Sequence, residues 1–238
     1  MRLKMTFQLK KPELDVEYRR AFLALLKKSF QQISPELYEK LYANGIQMKP
    51  FTFGVFLPQP EFVGNIIPLQ SRDITLTFST SEKKMGIYFY NALVKNRFTP
   101  FPLPNGNALM LQRVHLAREK PITAGEMVFK TLTPFLVRVH GGKNKDDRYL
   151  TIEDEDFIGQ LEWSIERMFE VLKGKKETVK VEPVKMEKMI PIKHYGQTMS
   201  GNKGIIKLTG SPEALEFIYN CGLGSRRSEG FGILDVVG

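Results

Sequence analysis

The first half of the chain alternates between the hydrophobic patterns of strands and of helices. Residues 2–9 place apolar and polar side chains in alternation, which predicts a half-buried strand. Ser34 followed by Pro35 is a helix-start signal, because the serine caps the helix and proline suits its first turn. The elements predicted in this half are a strand at 2–9, helices at 18–30 and 34–42, strands at 51–57 and 74–79, a helix from 81 and a strand at 108–117.

The second half repeats this order of elements. The single tryptophan, Trp163, lies on an acidic amphipathic helix and is expected in the core. The elements predicted in this half are a strand at 127–139, the acidic helix at about 153–173, a hairpin at 179–194, a strand at 204–208, a capped helix at 211–221 and a closing strand at 230–237.

Each half thus interleaves strands with two helical segments. This pattern favours an α+β fold made of two tandem ferredoxin-like (RRM-like) domains. A polar segment at 118–126 separates the halves, so we expect an N-terminal domain at 1–120 and a C-terminal domain at 121–238. A length of 238 residues allows between one and two domains at roughly 150 residues each.

Positive charge is distributed unevenly. The chain carries a net charge of +9, and residues 1–120 hold 18 basic against 9 acidic side chains. Residues 121–238 hold 17 of each sign, but the stretch 146–170 contains nine acids and only two arginines, so the rest of that half carries +7. Such a surface suggests a polyanionic partner, although many small basic proteins bind none.

Composition narrows the class of protein further. Hydrophobic residues make up 42% and charged residues 26%, which is typical of a folded soluble protein. One cysteine, Cys221, and three histidines argue against a disulfide framework or a multi-cysteine zinc site, so no metal and no cofactor is expected. With no apolar run near ~20 residues and no secretory signal, we expect a cytoplasmic protein without a membrane partner.

The most distinctive stretch is glycine-rich and lies at 222–232 (GLGSRRSEGFG). It matches neither a dinucleotide-binding fingerprint nor a Walker loop, because the third glycine and the Gly-Lys-Ser/Thr are missing. Glycines would let backbone N–H groups approach a phosphate, and Arg226 and Arg227 would supply bidentate donors. The alternative is an ordinary helix C-cap followed by a glycine-rich turn.

Two further stretches change this interpretation. Residues 49–53 (KPFTF) follow the first two helices, and residues 132–138 (LTPFLVR) open the second half. Together with 222–232, in this order along the chain, they resemble the signature of the CRISPR repeat-RNA processing endoribonucleases of the RAMP superfamily. The resemblance implies tandem ferredoxin-like folds, a CRISPR repeat RNA as substrate, and cleavage without a metal. In that chemistry a 2′-hydroxyl attacks the adjacent phosphate, leaving a 2′,3′-cyclic phosphate and a 5′-hydroxyl.

The resemblance also assigns catalytic positions. The family's catalytic histidine lies about eight residues before the first Phe of the Phe-Thr strand, and that position here is Ala43. Lys49 matches the family's cationic position, and a further family residue on the first helix, often Tyr, would fall near Lys27 or Lys28. The phosphate-binding half of the site is therefore retained, while its acid/base half is missing.

Three explanations for Ala43 remain open. The histidine has been replaced in order to trap uncleaved RNA, or it is naturally absent from a binding-only paralogue, or another group such as Tyr42 or His194 does the chemistry.

RNA binding is expected from the glycine-rich stretch and from basic residues of the second half. The residues expected to contact RNA are Gly222, Gly224, Ser225, Arg226, Arg227, Ser228, Gly230, Arg138, Lys188, Lys193 and His194.

The sequence is thus interpreted as a repeat-RNA endoribonuclease with a compromised active site. The alternative is a naturally non-catalytic repeat-RNA-binding subunit of a CRISPR complex. A generic tandem RRM protein is disfavoured, because neither half contains an RNP1-type string. Other CRISPR-associated proteins and a second copy of the chain remain candidate partners.

Overall fold

The computed structural model describes residues 1–43, 47–142 and 147–237, and the chain divides into two compact units. The first unit comprises Met1–Gln47 and Gly54–Arg118, and the second comprises Met48–Phe53 and Glu119–Gly238. Residues 48–53 therefore belong to the second unit, although they precede most of the first unit's strands.

The first unit carries seven strands and three helices among the described residues. Its strands are β1 (Arg2–Leu9), β2 (Glu13–Asp15), β3 (Phe51–Phe56), of which the first three residues belong to the second unit, β4 (Ile66–Pro68), β5 (Asp73–Thr80), β6 (Phe101–Pro102) and β7 (Ala108–Leu116). Its helices are α1 (Arg19–Ile33), α2 (Pro35–Tyr42) and α3 (Lys83–Lys95). The predicted cap is confirmed, because the Ser34 hydroxyl accepts a hydrogen bond from the Leu37 N–H at 3.3 Å.

The first sheet has the order β3-β5-β1-β7-β6, and its pairs β1–β5, β1–β7 and β6–β7 are antiparallel. With α1 after β1 and α3 after β5, this is the βαββαβ arrangement of a ferredoxin-like fold. The alternation predicted for β1 is confirmed, since Leu3, Met5, Phe7 and Leu9 are all buried. The helices cover the face of the sheet to which these side chains point.

The second unit repeats the arrangement with a four-stranded sheet and two helices. Its strands are β8 (Glu126–Thr131), β9 (Val137–Val139), β10 (Arg148–Leu150), β11 (Lys180–Met186), β12 (Ile190–His194), β13 (Gln197–Gly201), β14 (Gly204–Thr209) and β15 (Leu234–Val236). Its helices are α4 (Phe157–Lys173) and α5 (Pro212–Cys221). The sheet order β11-β14-β8-β15 again gives the βαββαβ arrangement, which confirms the predicted fold class.

The predicted hairpin at 179–194 is wrong. β11 pairs with β14, whereas β12 pairs with β13 through a two-residue turn at Tyr195 and Gly196. Both turn residues have positive φ, 50° and 74°, as the tight turns of right-twisted hairpins require. The Tyr-Gly turn therefore indicates that β12 pairs with β13, which the spacing of β-branched residues does not indicate.

Three other predictions need correction. The strand predicted at 127–139 is divided into β8 and β9, because Pro134 interrupts the intervening segment. The closing strand begins only at Leu234, since the preceding glycines belong to a loop. Trp163 is 52% exposed and is not part of the core.

Among the described residues, no helix is long and apolar enough to cross a membrane.

Candidate functional site

The glycine-rich segment at 222–232 forms a loop that joins α5 to β15, and the two other motif segments meet it in the second unit. The Thr52 hydroxyl donates a hydrogen bond to the Phe231 carbonyl at 2.8 Å, and both residues are fully buried. Hydrogen bonds also run from the Ser225 N–H to the Leu136 carbonyl at 2.8 Å and from the Gly232 N–H to the Pro134 carbonyl at 2.9 Å. The three segments that carry the family resemblance thus form one hydrogen-bonded cluster.

The loop glycines are required by contacts within the chain. A Cβ at Gly224 would lie 2.5 Å from the Leu136 carbonyl oxygen, and a Cβ at Gly232 would overlap the Leu223 carbonyl oxygen. Both glycines also have left-handed φ angles, 76° and 69°. The apolar residues between the glycines, Leu223 and Phe231, are fully buried. The glycine pattern therefore encodes an interlocked loop whose two glycine–apolar–glycine arms lie against each other.

Arg226 is held by a polar network at the tip of this loop. Its Nε donates to the Tyr149 hydroxyl at 2.9 Å, and its Nη1 donates to the Glu229 carboxylate at 3.0 Å. Its side chain remains 19% exposed. Neither Glu229 nor Tyr149 was predicted from the sequence as a site residue, although the spacing of three residues between Arg226 and Glu229 is a local signal for the ion pair.

His194 joins the same network from β12. Its Nε2 lies 2.9 Å from the Glu229 carboxylate, and because a carboxylate only accepts, the proton is assigned to Nε2. Burial alone would raise the pKa of Glu229, but His194 and Arg226 outweigh it and hold that pKa below its ordinary value. The His194 side chain is only 1% exposed, so it supports the loop from beneath.

Arg227 points in the opposite direction, into the second unit. It is 7% exposed, and its Nη1 donates to the Gly224 carbonyl at 3.1 Å. Within the described residues no carboxylate pairs with it and its Nε has no hydrogen-bond partner. Burial lowers the pKa of this guanidinium. In this conformation Arg227 stabilises the loop from inside, next to the more exposed Arg226.

The other residues of the second unit that were predicted to contact RNA differ in their exposure to solvent. Lys188 and Lys193 are exposed, on the segment before β12 and on β12 itself, while Ser225 and Ser228 are partly exposed on the loop. Arg138 is an ion-pair partner of Asp147, and its side chain is 22% exposed. The pKa of Asp147 is lowered because its hydrogen bond and ion pair with Arg138 outweigh desolvation.

The first unit brings two of the predicted catalytic residues together. The Lys27 ammonium on α1 lies 5.0 Å from the centre of the Tyr42 ring at the end of α2, a cation–π contact. Tyr38 lies one turn before Tyr42 on α2, and the centres of the two rings are 5.3 Å apart. Burial, with a smaller contribution from Tyr38, raises the pKa of Tyr42 far above its ordinary value. Its hydroxyl is therefore fully protonated at neutral pH.

Ala43 is the C-cap of α2, exposed, with its N–H bonded to the Glu39 carbonyl at 2.9 Å. Its methyl group offers no donor, acceptor or titratable proton.

Lys49 is partly buried and belongs to the second unit, three residues before Thr52. The part of the chain that the structure describes contains no group of three or more His, Cys, Asp or Glu side chains arranged to hold a metal ion.

The sequence matches a known family model over half of its length. Residues 117–236 match the model described as CRISPR associated protein Cas6, C-terminal. No curated protein matches the sequence.

Solved structures extend the similarity to the whole chain. The chain resembles the product of a Cas6-related gene from Pyrococcus furiosus, with a TM-score of 0.87 and 20% identity over 100% of this chain and 98% of that one. It resembles a RAMP protein described as binding different RNA substrates, with a TM-score of 0.85 and 19% identity over 100% of both chains. A CRISPR associated protein Cas6 gives a TM-score of 0.78 and 17% identity over 100% of this chain and 99% of that one. At these identities the similarity shows a shared fold.

Proposed function

Because the chain belongs to the Cas6 family of CRISPR-associated proteins, we propose that it binds CRISPR repeat RNA at a cleavage site that lacks its proton-transfer residue. The hydrogen-bonded cluster of the three motif segments carries this proposal. The cluster fixes the glycine-rich loop, with Arg226 at its tip, on the same unit as Lys49. This is the arrangement expected of a phosphate-binding surface built on a rigid scaffold.

The reaction proposed for this site is a metal-independent transesterification. The 2′-oxygen attacks the adjacent phosphorus as its proton goes to a general base, and the bond from phosphorus to the 5′-oxygen breaks. A general acid protonates the leaving 5′-oxygen, which gives a 2′,3′-cyclic phosphate and a 5′-hydroxyl. Lys49, which matches the family's cationic position, is the cation proposed to stabilise the negative charge that develops on the phosphorane.

An alanine at position 43 can neither take the proton from the 2′-hydroxyl nor give one to the leaving 5′-oxygen. The Tyr42 hydroxyl is a poor general base, because a tyrosine is protonated at neutral pH and burial raises its pKa further. His194 is buried and its Nε2 is engaged by Glu229, which favours a supporting role. The account therefore favours tight binding of intact RNA over cleavage.

The RNA is held in this proposal through its phosphates. Lys188 and Lys193 are exposed cations on the hairpin side of the loop, and Arg226 presents the exposed part of its guanidinium. Phosphate contacts of this kind position the RNA, while recognition of its sequence requires contacts with base edges. The buried Arg227 and the partly buried Arg138, together with the loop glycines and serines, are proposed to keep the loop in its binding shape.

Binding is tested with repeat RNA transcribed from a CRISPR array of the protein's own genome, measured in EDTA across a range of KCl concentrations. The double variant Lys188→Ala/Lys193→Ala is expected to bind on the order of tenfold more weakly, with a shallower salt dependence, because two phosphate contacts are lost. The control Lys175→Ala/Lys176→Ala removes the same charge at the end of α4, where both lysines pair with glutamates. Equal weakening by both double variants would argue against the proposed surface.

A further inference from the structure

A cavity of about 400 Å³ lies in the first unit, and none of the predicted site residues lines it. It is bounded by the segment around β2, by the first turns of α1 and by residues 101–107. Its volume is in the range of about 300–1,000 Å³ that is typical of small-molecule sites.

The floor of this cavity is apolar. Leu14 and Leu103 are buried beneath it, and Ala21 and Ala24 of α1 present small side chains to it. Phe101 and Tyr18 line its sides and are each partly exposed. Small residues between two aromatic walls favour a flat, largely apolar ligand that can lie against a ring.

The walls are fixed by hydrogen bonds. Asn107 is buried, its Oδ1 accepts from the Lys11 N–H at 2.8 Å, and its Nδ2 donates to the Glu13 carbonyl at 2.7 Å. The Lys11 ammonium donates to the Asn105 carbonyl at 2.7 Å. These bonds tie the segment at β2 to the turn at 104–107, so the cavity is formed before any ligand enters it.

One edge of the cavity carries carboxylates. Asp15 accepts a hydrogen bond from the Glu17 N–H at 2.7 Å, and Glu17 forms an ion pair with Arg20 at 2.9 Å. Glu13 also lines the cavity, and within the described residues neither a hydrogen bond nor an ion pair engages its carboxylate. Glu13 is thus the acceptor available to a ligand that carries an N–H group.

Three basic side chains lie at or near the cavity, although its lining contains three acidic residues. Lys11 and Arg20 lie at its rim, and the Lys28 ammonium lies 5.6 Å from the centre of the Phe101 ring. Arg20, Ala24 and Lys28 follow one another at intervals of four residues, so they share one face of α1. A strand of RNA whose phosphate lies near Lys27 or Lys28 therefore passes the cavity within about two helical turns.

From this combination we propose that the cavity binds one unstacked base of the bound RNA, a base with an exocyclic amino group that Glu13 accepts. The proposal rests on the proposed function, since it needs RNA along α1. Adenine or cytosine would lie against Phe101 or Tyr18 and donate an N–H to the Glu13 carboxylate, as acidic side chains accept from the amino group of cytosine. Uracil carries an oxygen at that position, which the carboxylate would repel, and it retains only its ring N3–H as a donor.

A cationic peptide is the competing occupant, because its lysines would also pair with Glu13. The observations favour a base, since Arg20 already neutralises Glu17, and Lys11 and Lys28 at the rim would repel a polycation while attracting phosphates. The apolar floor likewise suits a ring better than an ammonium group.

The test compares the affinity of the protein for oligo(A), oligo(C) and oligo(U) of about twelve nucleotides, a length within the site sizes of single-strand binders. The wild type is expected to prefer the A or C oligomer over U by about fivefold or more, as one base contact provides. Glu13→Gln should reduce that preference to within about twofold, and Ala24→Trp, which fills the cavity, should abolish it. Glu61→Gln and Ile87→Trp are the matched controls, since both residues are exposed on the same unit and neither lines the cavity.

Each result decides between the alternatives. Equal binding of all three oligomers, or an unchanged preference in Glu13→Gln and Ala24→Trp, would overturn the base site while leaving repeat-RNA binding intact. Failure to bind any oligomer or the repeat RNA would instead overturn the proposed function. Binding of oligolysine that depends on Glu13, without any base preference, would assign the cavity to a basic peptide.

Discussion

Thr52 and Phe231 lie 179 positions apart in the sequence and are joined by a buried hydrogen bond of 2.8 Å from the threonine hydroxyl to the phenylalanine carbonyl. A Cβ at Gly222 would lie 2.9 Å from the Thr52 Cβ, so the strand and the loop fit together closely at this point. The bond connects the strand segment that carries Lys49 to the loop that carries Arg226. The contact therefore links the two segments of the second unit to which the proposed function assigns phosphate binding.

Replacing Thr52 tests this contact. Thr52→Val keeps the shape but leaves the Phe231 carbonyl buried without its donor, so we expect a loss of about 1–3 kcal/mol in the free energy of unfolding. Urea denaturation measures it, and Thr52→Ser, which keeps the hydroxyl, should lose less. If Thr52→Val is as stable as Thr52→Ser, the hydroxyl does not hold the loop.

The loop glycines predict a steric effect on RNA binding. Gly232→Ala should weaken repeat-RNA binding at least about tenfold, because the added methyl group overlaps the Leu223 carbonyl and opens the loop. Gly174→Ala is a matched control, since Gly174 has a similar φ of 67° but nothing within 4 Å of its Cβ position. Gly174→Ala should therefore bind the RNA like the wild type, and equal affinities of the two variants would contradict the interlocked loop.

The carboxylate of Glu229 predicts a pH-dependent stability. Its pKa in the folded protein lies below its ordinary value of 4.5, so its contribution is complete above that value and is lost as the pH falls through the folded pKa. Glu229→Gln should destabilise the protein by about 2 kcal/mol at neutral pH. The difference from the wild type should shrink as the pH falls below 4.5. Urea denaturation at several pH values measures it, and a constant difference would show that the charge of Glu229 is irrelevant.

Because the Tyr42 hydroxyl is buried, we expect it not to ionise in the pH range in which an ordinary tyrosine does. An ordinary tyrosine titrates near pH 10, but the pKa of Tyr42 is raised by burial. Ultraviolet absorbance should therefore show the same tyrosinate signal for the folded wild type and Tyr42→Phe between about pH 9 and about pH 11. In urea the two proteins should differ by one tyrosine. A difference already present in the folded proteins would make Tyr42 a candidate base.

Much of the fold follows from local patterns in the sequence. Alternation over 2–9 gives β1, and Ser211 before Pro212 caps α5, where the serine hydroxyl accepts from the Ala214 N–H at 3.2 Å. These signals are local, because the side chains that define them lie within one element. The partner of a strand is not local, which is why the pairing of β11 was predicted wrongly.

The site was less predictable than the fold. The motif residues were identified by resemblance, but residue type alone does not reveal that His194 and Arg227 are buried while Arg226 is partly exposed. Their burial depends on which face of β12 and of the loop meets the core, and that is decided by distant contacts such as Thr52 with Phe231. Glu229 and Tyr149 were missed because their importance comes from contacts with Arg226 and, for Glu229, also with the distant His194.

We propose that the residue which transfers a proton in the family's reaction is absent at position 43, and a cleavage assay with Ala43→His tests this proposal. End-labelled repeat RNA from a CRISPR array of the same genome is incubated in EDTA with the wild type and with Ala43→His, and the fragments are analysed for a 2′,3′-cyclic phosphate. We expect both proteins to bind the RNA and only Ala43→His to cut it. Cleavage by both would assign the chemistry to another residue, and binding without cleavage by either would favour a non-catalytic RNA-binding subunit; both results would contradict the account.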